Sequence, residues 1–378
     1  ETDPSSDLYF DDKSLCDRDI YMDVNDFLHW CCDVIGAEPV MGINFESGWR
    51  FGRYQESIDE TVALVEHCND MGYDVKYWYI GNEAFFLSGA EYASIINDFA
   101  AAMKQVDPDI EIIGNFRPCE FGWSFTWDSW ATLIAYAGQN IDIADFHMQW
   151  ARLSTTWEKW LQQNPLLNEF HNYVGPTYVE ELDNWYQNMS SDVRIAVMEW
   201  GAGVPDPARW AEDGLSPYQC ALIQSEMLMQ FVKGDVFMAA LYPGAFSANN
   251  SRNPGRGLID PDTNEPWPTY DVFRLFGHTA GCRAVESRST EPKMPSLAVV
   301  SQDGEHMWVY LVNKQPGYKL TRLDTGTPTA ANCRAESLMS DDIYSENWQL
   351  NSLDVEYHDG AIHLYVPGYS LVMVKIDL

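Results

Sequence analysis

A repeated alternation of short apolar runs and longer amphipathic stretches constrains this chain of 378 residues more than any other feature. Apolar side chains recur at intervals of three and four over residues 57–72, 89–106 and 216–234, a spacing that predicts helices. The short runs are rich in β-branched and apolar residues and predict strands at 40–45, 75–85, 110–116, 141–150, 194–203 and 236–246. Strands that alternate with helices predict a parallel sheet buried on both faces.

Two observations favour an α/β fold of the TIM (β/α)8-type barrel over a doubly wound sheet. No glycine-rich phosphate-binding turn follows the first predicted strand. The predicted strands also end in polar or aromatic residues, as the catalytic face of a barrel requires, namely Asn44, Asn82, Glu83, Asn115, His147, Glu199, Trp200 and Tyr242. A complete barrel needs two more βα units before residue 40. We therefore expect the first two strands to be missing from this chain and supplied by a separate N-terminal chain or by residues outside this sequence.

The C-terminal part of the chain follows a different pattern. From about residue 286 the apolar runs are short, often alternate with polar residues and are interrupted by Gly, Pro, Asn and Asp, which predicts an antiparallel β-sandwich. The predicted domains are an N-terminal segment with a barrel helix (1–37), a catalytic barrel (38–285) and the sandwich (286–378). Because so small a sandwich has little core of its own, we expect it to pack on barrel elements through an apolar interface.

The balance of charged residues excludes one class of function. Lys and Arg number 23 and Asp and Glu 57, a formal net charge of −34, whereas nucleic-acid binding needs clustered cations. An acidic substrate would be repelled at long range and would need a local Arg or Lys in the cleft. No apolar run is long enough to cross a bilayer, so we expect neither nucleic acid nor a membrane as partner. The N-terminal residues do not resemble a signal peptide, and we expect a secreted or periplasmic protein that is already processed.

Two glutamates at strand ends carry the predicted chemistry. Glu83 and Glu199 each lie in an apolar strand context, where a charge without a purpose is costly. Two carboxyl groups that face one cleft are the minimum apparatus for hydrolysing a glycosidic bond. One must be protonated to assist the leaving oxygen and the other ionised to attack the anomeric carbon. The eight cysteines show no metal-binding spacing, and we predict no metal or other cofactor.

From about residue 22 to 285 the chain resembles the retaining glycoside hydrolases of clan A. In that clan an Asn-Glu pair closes the fourth barrel strand and a second Glu closes the seventh. Asn82 and Glu83 match the pair, and Glu199 lies three predicted strands later. The resemblance implies that Glu83 is the general acid/base and Glu199 the nucleophile. Asn82 would bind the sugar hydroxyl next to the reacting carbon.

Within the clan, the chain is most similar to the α-L-arabinofuranosidases and their xylosidase, agarase and porphyranase relatives. The similarity lies in residues 26–45, 77–85 and 266–281, and an appended β-sandwich is typical of that group. Two positions depart from the pattern. Gln149 stands where an aromatic residue is usual, and Tyr242 stands in the region where Trp is frequent. Both differences change the floor of the subsite that holds the sugar.

Further side chains at the strand ends are candidates for binding substrate. His147 is predicted to orient Glu199 or a substrate hydroxyl, with a core histidine as the equal alternative. Asn44, Asn115 and Arg117 are predicted either to bind the substrate or to cap loops. Some of the aromatic residues near strand ends should stack on sugar faces, with Trp150 and Trp200 favoured over Trp49, Phe85, Phe86, Trp123, Trp127, Trp130 and Trp267.

The sequence therefore predicts a retaining glycoside hydrolase that acts by double displacement on a plant or algal cell-wall polysaccharide or its oligosaccharides. Arabinofuranosidase-like and agarase- or porphyranase-like specificities both remain open. The alternative from another class is a catalytically silent carbohydrate-binding protein, in which the same cleft holds sugar without cleaving it.

Overall fold

A computed structural model gives the fold of most of the chain. It describes residues 23–84, 86–116, 127–150, 156–165, 193–202, 215–242, 244–245, 249–250, 253–326, 332–344 and 347–378. Over these ranges, no helix is both long and apolar enough to cross a membrane.

All six runs predicted as strands form one sheet with the strand order β1 to β6. The strands are β1 (Val40–Ile43), β2 (Tyr77–Ile80), β3 (Glu111–Phe116), β4 (Ile143–Trp150), β5 (Arg194–Ala202) and β6 (Met238–Leu241). The pairs β1–β2, β2–β3 and β3–β4 are parallel. Every residue of β2 is buried, as expected for a strand covered on both faces. This sheet and the helices between its strands confirm the α/β barrel class. The absence of two earlier strands stays a prediction, because residues 1–22 lie outside the described part.

The three helices predicted from apolar spacing are present, and the structure adds shorter ones. They are α1 (Val24–Leu28), which continues as a π-helix over His29–Ile35, then α2 (Glu46–Phe51), α3 (Tyr54–Met71), α4 (Gly89–Val106), α5 (Trp127–Ala137), α6 (Trp157–Gln162), α7 (Pro217–Lys233) and α8 (Pro268–Phe276), with 3₁₀ turns at Gly138–Asn140 and Gly277–Thr279. Local sequence signals fix several ends. A capping box of Ser88 and Glu91 begins α4. Ser216 and Gln219 do the same for α7, with Pro217 in its first turn.

The C-terminal strands form the predicted antiparallel β-sandwich. The strands are β9 (Arg283–Val285), β10 (Ser296–Val300), β11 (His306–Asn313), β12 (Lys319–Leu323), β13 (Cys333–Met339), β14 (Gln349–Leu353), β15 (Val355–His358), β16 (Ala361–Val366) and β17 (Ser370–Asp377). One sheet has the order β14-β13-β17-β11-β10-β9 and the other has the order β12-β16-β15. Alternate residues of the two sheets meet in one apolar core, in which Val309 and Val374 of the larger sheet lie with Ile362 and Leu364 of the smaller one. A separate two-stranded ladder joins β7 (Asn249–Asn250) and β8 (Asn253–Pro254).

The described residues cluster into two compact units. Unit 1 comprises those within 1–147 and 179–196, and unit 2 those within 148–178 and 197–378. The division cuts through β4 and β5, so it does not follow the predicted boundaries at residues 37 and 285, and those boundaries stay predictions.

Unit 2 contains the predicted apolar contact between the sandwich and two helices. The rings of Phe276 at the end of α8 and Tyr310 on β11 stack at 4.4 Å between centroids. The hydroxyl of Tyr218 on α7 donates to the backbone oxygen of Tyr369 at 2.6 Å. Tyr218 and Tyr310 are both buried. The face of the larger sheet that points away from the sandwich core therefore covers α7 and α8. The sandwich residues therefore share apolar surface with these two helices, as the sequence predicts.

Candidate active site

Glu83 lies in the turn that follows β2 and is held in an unusual backbone conformation. Its φ is +51°, in the left-handed region that non-glycine residues seldom adopt. Gly81 has φ +72°, and a Cβ at that position would lie 2.2 Å from the Phe45 ring, so the turn requires glycine there. The backbone N–H of Glu83 donates to Oδ1 of Asn115 at 3.1 Å. The Glu83 side chain is 34% exposed, which leaves its carboxyl group accessible to solvent.

His147 on β4 connects Glu83 to buried polar groups. Its Nδ1 lies 2.9 Å from Oε1 of Glu83. On the other side of the ring, Nε2 lies 3.1 Å from the hydroxyl of Tyr79 and 3.2 Å from Oδ2 of Asp145. The imidazole is almost fully buried. Within unit 1, His147 thus orients Glu83, whereas the sequence associated it with Glu199 or a substrate hydroxyl.

Asp145 is fully buried and receives hydrogen bonds from two side chains. The hydroxyl of Tyr79 donates to Oδ2 at 2.6 Å, and Nδ2 of Asn115 donates to the same oxygen at 2.6 Å. Asn115 and Asp145 face each other in the parallel ladder of β3 and β4. Asn115 therefore fixes Asp145 through its amide nitrogen and the Glu83 backbone through its amide oxygen. We call Glu83, His147, Asp145, Tyr79 and Asn115 the Glu83 network.

A buried tyrosine supports this arrangement from behind. The hydroxyl of Tyr92 on α4 donates to the backbone oxygen of Ile80 at 2.7 Å and accepts the backbone N–H of Asn115 at 3.1 Å. Burial raises the pKa of Tyr92 far above its ordinary value, so the hydroxyl keeps its proton. The ends of β2 and β3 are thereby tied together next to Glu83.

The donors and acceptors of the network indicate that Glu83 and His147 share one proton. The Tyr79 hydroxyl donates its hydrogen bond to Asp145, so its oxygen accepts a hydrogen bond from Nε2–H of His147. With a proton on Nε2, the contact between Nδ1 and Glu83 needs one proton more. That proton lies either on the Glu83 carboxyl beside a neutral imidazole or on an imidazolium beside a carboxylate. In both cases Glu83 and His147 share one transferable proton at the solvent-accessible end, which is the property of a general acid.

Glu199 is the second predicted catalytic carboxyl group. It lies on β5 in unit 2, and it is partly exposed although Trp200 directly after it and Val197 two residues before it are buried. A carboxyl group near the carboxyl end of a barrel strand has the location that the nucleophile role requires. The pairing of Glu199 with Glu83 stays a prediction.

The other predicted substrate-binding residues fall into two groups. Asn82 and Tyr242 are exposed, and the Arg256 guanidinium lies 5.9 Å from the Tyr242 ring centroid. Asn44 is exposed but bonds Ser47 at the start of α2, through Nδ2 to Oγ at 3.2 Å and through Oδ1 from the backbone N–H at 3.3 Å. Asn44 therefore acts as a loop cap in this structure, the alternative that the sequence left open. Asn115 is buried within the Glu83 network.

Trp150 and Trp200, favoured as stacking surfaces, are both buried. The Trp200 ring packs against Phe231 at 5.2 Å and Phe273 at 6.0 Å between centroids. These contacts place Trp200 in the apolar core, and burial gives no support to a sugar-stacking role for either tryptophan. Trp267 is also buried. Arg117, Phe85 and Trp123 lie outside the described residues, as do the side chains of Trp127, Trp130 and Gln149.

Sequence reasoning missed Tyr79 and Asp145. A signal was present, because Asp145 lies in an otherwise apolar strand two residues before His147, and residues two apart on a strand point to the same face. A buried aspartate with this spacing predicts a partner for the histidine. Glu83 and His147 are also residue types that bind divalent metal ions, and an imidazole whose Nε2–H is held by Tyr79 presents Nδ1 to a proton or to a metal alike. Independence from metal remains a prediction.

Comparison with known proteins agrees with this fold. The sequence profile of the family described as "Alpha-L-arabinofuranosidase 1 domain" matches residues 11–159. Alpha-L-arabinofuranosidase C of Emericella nidulans is 32% identical over 111 residues, which are 24% of this chain and 20% of that protein. The intracellular exo-alpha-(1->5)-L-arabinofuranosidase of Acetivibrio thermocellus is 24% identical over 253 residues, 56% of this chain and 46% of that protein. The chain thus spans less than half the length of these curated relatives.

A solved structure covers nearly the whole chain. The family 51 alpha-L-arabinofuranosidase from Bifidobacterium longum superposes with a TM-score of 0.67 at 17% identity, over 94% of this chain and 79% of that one. Fold and motifs together resemble those of a clan A glycoside hydrolase. Within that class, the chain resembles the α-L-arabinofuranosidases. Three of the matched relatives are named as intracellular enzymes, and these comparisons do not support the predicted secretion.

Proposed function

We propose that this chain carries the catalytic part of a retaining glycoside hydrolase of the arabinofuranosidase type, acting on plant cell-wall polysaccharide or its oligosaccharides. The observation that carries the proposal is the Glu83 network, in which an accessible carboxyl group lies 2.9 Å from a buried histidine that Tyr79 and Asp145 hold from behind. Glu83 is the general acid/base and Glu199 the nucleophile. Family resemblance over residues 11–159 supports the sugar type, because the matched family is described as an arabinofuranosidase domain.

The reaction follows as a double displacement. The Glu199 carboxylate attacks the anomeric carbon, the bond from that carbon to the leaving oxygen breaks, and the proton shared by Glu83 and His147 passes to the leaving oxygen. This step yields a covalent glycosyl ester on Glu199. In the second step Glu83 accepts a proton from water, the water oxygen bonds to the anomeric carbon, and the ester bond to Glu199 breaks. Glu83 thereby regains the proton that it gave away, and no metal or cofactor enters the scheme.

Other residues have narrower roles in this proposal. Asn82 is exposed beside Glu83 and is assigned to the hydroxyl next to the reacting carbon. Tyr242 is exposed near the end of β6 and is assigned to the sugar subsite. The matches named above favour an arabinofuranoside over the agarase- or porphyranase-like alternative, which stays an unconfirmed prediction.

Aryl α-L-arabinofuranosides test the function and the two catalytic roles together. The full-length protein should hydrolyse them with retention at the anomeric carbon, seen by proton NMR of the first product. Glu199→Ala should abolish turnover of every glycoside. Glu83→Ala should lose about 10²–10⁴-fold in kcat/KM on poor leaving groups but little on activated ones, with partial rescue by azide. In a crystal structure, the two carboxyl groups should lie about 5–5.5 Å apart.

The control is Glu286→Ala, which removes a highly exposed carboxyl group and should behave as the unaltered protein. Inversion of configuration would contradict double displacement. Equal loss in both variants on activated and unactivated substrates would contradict the assigned roles. Binding of arabino-oligosaccharides without any turnover would identify the alternative, a catalytically silent carbohydrate-binding protein.

A further inference from the structure

An exposed pair of aromatic rings lies on unit 1, outside the Glu83 network. Trp49 on α2 and Phe86 after β2 are 40% and 41% exposed, and their ring centroids are 5.8 Å apart with 49° between the planes. Exposed aromatic rings that touch each other present apolar surface to solvent, and the C–H faces of sugars pack well on the faces of such rings. We call Trp49 and Phe86 the aromatic pair.

The aromatic pair lies close to Glu83. Phe86 follows Glu83 by three residues, so their Cα atoms are at most about 11 Å apart. Helix α2, which carries Trp49, follows the carboxyl end of β1, the strand next to β2. It is joined to the catalytic turn by Glu46, whose Oε1 accepts the backbone N–H of Asn82 at 3.2 Å. The pair therefore lies at the carboxyl-terminal end of the strands, where the substrate of a barrel enzyme binds.

Arg50 adds a positive charge to this surface. Its guanidinium carbon lies 4.6 Å from the centroid of the Phe86 ring, a cation–π contact. No residue in the described ranges accepts a hydrogen bond from Arg50, whereas Arg53 nearby donates to Glu56 at 2.8 Å. Glu46, one turn before Arg50, directs its Oε1 to the backbone of Asn82, and the nearby charge of Arg50 offsets part of the rise in the pKa of Glu46 without forming a hydrogen bond. A guanidinium that contacts an aromatic ring still carries N–H edges that match a carboxylate in two parallel hydrogen bonds.

We propose that Arg50 and the aromatic pair form a subsite for a sugar unit that carries a carboxylate, a uronic acid side group of the polysaccharide. The inference rests on the proposed function, since it deepens the substrate class of the same site. A chain with a net charge of −34 repels anions at long range, so an acidic sugar needs a local cation to bind. Arg50 supplies that cation, and the aromatic pair supplies the stacking surface beside it.

Two matched oligosaccharides test the subsite by calorimetry. One is an arabinoxylo-oligosaccharide with a glucuronic acid branch, and the other is the same compound with its carboxyl group reduced to the alcohol. The full-length protein should bind the acidic compound about fivefold more tightly, because hydrogen bonds between charged groups are the strong ones. That preference should weaken as salt is added. Arg50→Gln should remove the preference, and Arg50→Lys should keep part of it. Trp49→Ala should weaken binding of both compounds by a similar factor.

The matched control is Arg288→Gln, at an arginine that is 85% exposed on unit 2, and it should retain the preference. Equal affinity for the two compounds, or a preference that survives Arg50→Gln, would overturn the proposal. A preference for a sulfated oligosaccharide with none for the carboxylated one would also overturn it. Because the readout is binding, it is independent of turnover. A protein that shows the preference but does not hydrolyse arabinofuranosides would refute the proposed function and leave the subsite standing.

Discussion

The Glu83 network of unit 1 and a buried ion pair of unit 2 are similar in chemistry but differ in their access to solvent. In the ion pair, Nζ of Lys314 lies 2.6 Å from Oε2 of Glu226, and the two side chains are 1% and 0% exposed. The Glu83 network is equally buried at Asp145 but ends at a carboxyl group that is 34% exposed. Buried charge alone therefore does not mark a catalytic site. What distinguishes the Glu83 network is a path for one proton to solvent.

The ion pair joins separate segments of unit 2. Nζ of Lys314 donates to the backbone oxygen of Gln163 at 2.9 Å and to Oδ1 of Asn164 at 3.0 Å, and it lies 4.6 Å from the centroid of the Trp160 ring. Nε1 of Trp160 donates to Glu226 at 2.8 Å. Burial raises the pKa of Glu226 and lowers the pKa of Lys314, although their mutual attraction opposes both changes. The cluster thus connects β11, α7 and the end of α6, and we expect it to act on stability rather than on turnover.

The largest expected effect comes from breaking that pair. Lys314→Met should lower the free energy of unfolding by about 3–5 kcal/mol, because it leaves the Glu226 charge buried without its partner. The double variant Lys314→Met/Glu226→Gln should recover most of the loss, since the amide keeps an acceptor for Trp160 without a charge. Chemical denaturation measures both, and turnover per folded molecule should be unchanged. A single-variant cost below about 1 kcal/mol would mean that the pair contributes little.

The next effect concerns turnover and comes from the buried end of the Glu83 network. Asp145→Asn should lower kcat/KM about 100-fold on poor leaving groups, because Tyr79 loses the carboxylate that orients its hydroxyl and so fixes the histidine tautomer. The alkaline limb of the pH profile should move to lower pH, since the negative charge of Asp145 favours the protonated state of the Glu83 and His147 couple. Tyr79→Phe should cost about tenfold, because Asp145 remains near His147.

Leaving-group dependence is the readout that a purely structural role would not produce. Asp145→Asn and Tyr79→Phe should lower turnover of activated aryl glycosides far less, because the leaving groups of these substrates need little protonation. Tyr365→Phe, at a tyrosine on β16 that is largely exposed, serves as the control and should leave kcat/KM and its pH profile unchanged. An equal loss on all substrates would assign Tyr79 and Asp145 to folding alone.

The smallest effect is a pH-dependent change in stability at Glu46. Burial raises the pKa of Glu46 above its ordinary value, so the folded state holds the proton more tightly than the unfolded state. The stabilising contribution of this group is fully present below its pKa in the unfolded state and is lost as the pH rises through its pKa in the folded state. Glu46→Gln should therefore gain stability relative to the unaltered protein between pH 4 and 7, by no more than about 1 kcal/mol.

Glu56 gives the opposite trend and makes the comparison sharper. A hydrogen bond from Arg53 lowers the pKa of Glu56, so its contribution is present above its unfolded pKa and is lost as the pH falls. The difference in unfolding free energy between Glu56→Gln and the unaltered protein should thus change with pH in the opposite direction to the difference for Glu46→Gln. Denaturation curves at several pH values measure both slopes, and parallel slopes would contradict the burial of Glu46.

The sequence predicts the strands, the long helices and the sandwich because each depends on a periodicity of neighbouring residues. It also places Glu83 at a strand end, since the surrounding apolar run marks the strand. It does not reveal that Tyr79, Asn115 and Asp145 meet, because their contacts depend on the register of three parallel strands. The burial of Trp200 is hidden for the same reason, as Phe231 and Phe273 come from distant helices. Tertiary register, rather than local pattern, decides these side-chain roles.

The positive φ of Glu83 has a consequence for how this protein would change under selection. A non-glycine residue in the left-handed region costs about 1 kcal/mol or more relative to glycine, so folding alone favours glycine or asparagine at position 83. Selection for thermal tolerance and selection for turnover therefore pull this position in opposite directions. In a lineage that no longer needed hydrolysis, replacing Glu83 would relieve backbone strain without cost, so we expect this glutamate to be lost first. The residue at position 83 in a descendant would then indicate whether that protein is still an enzyme.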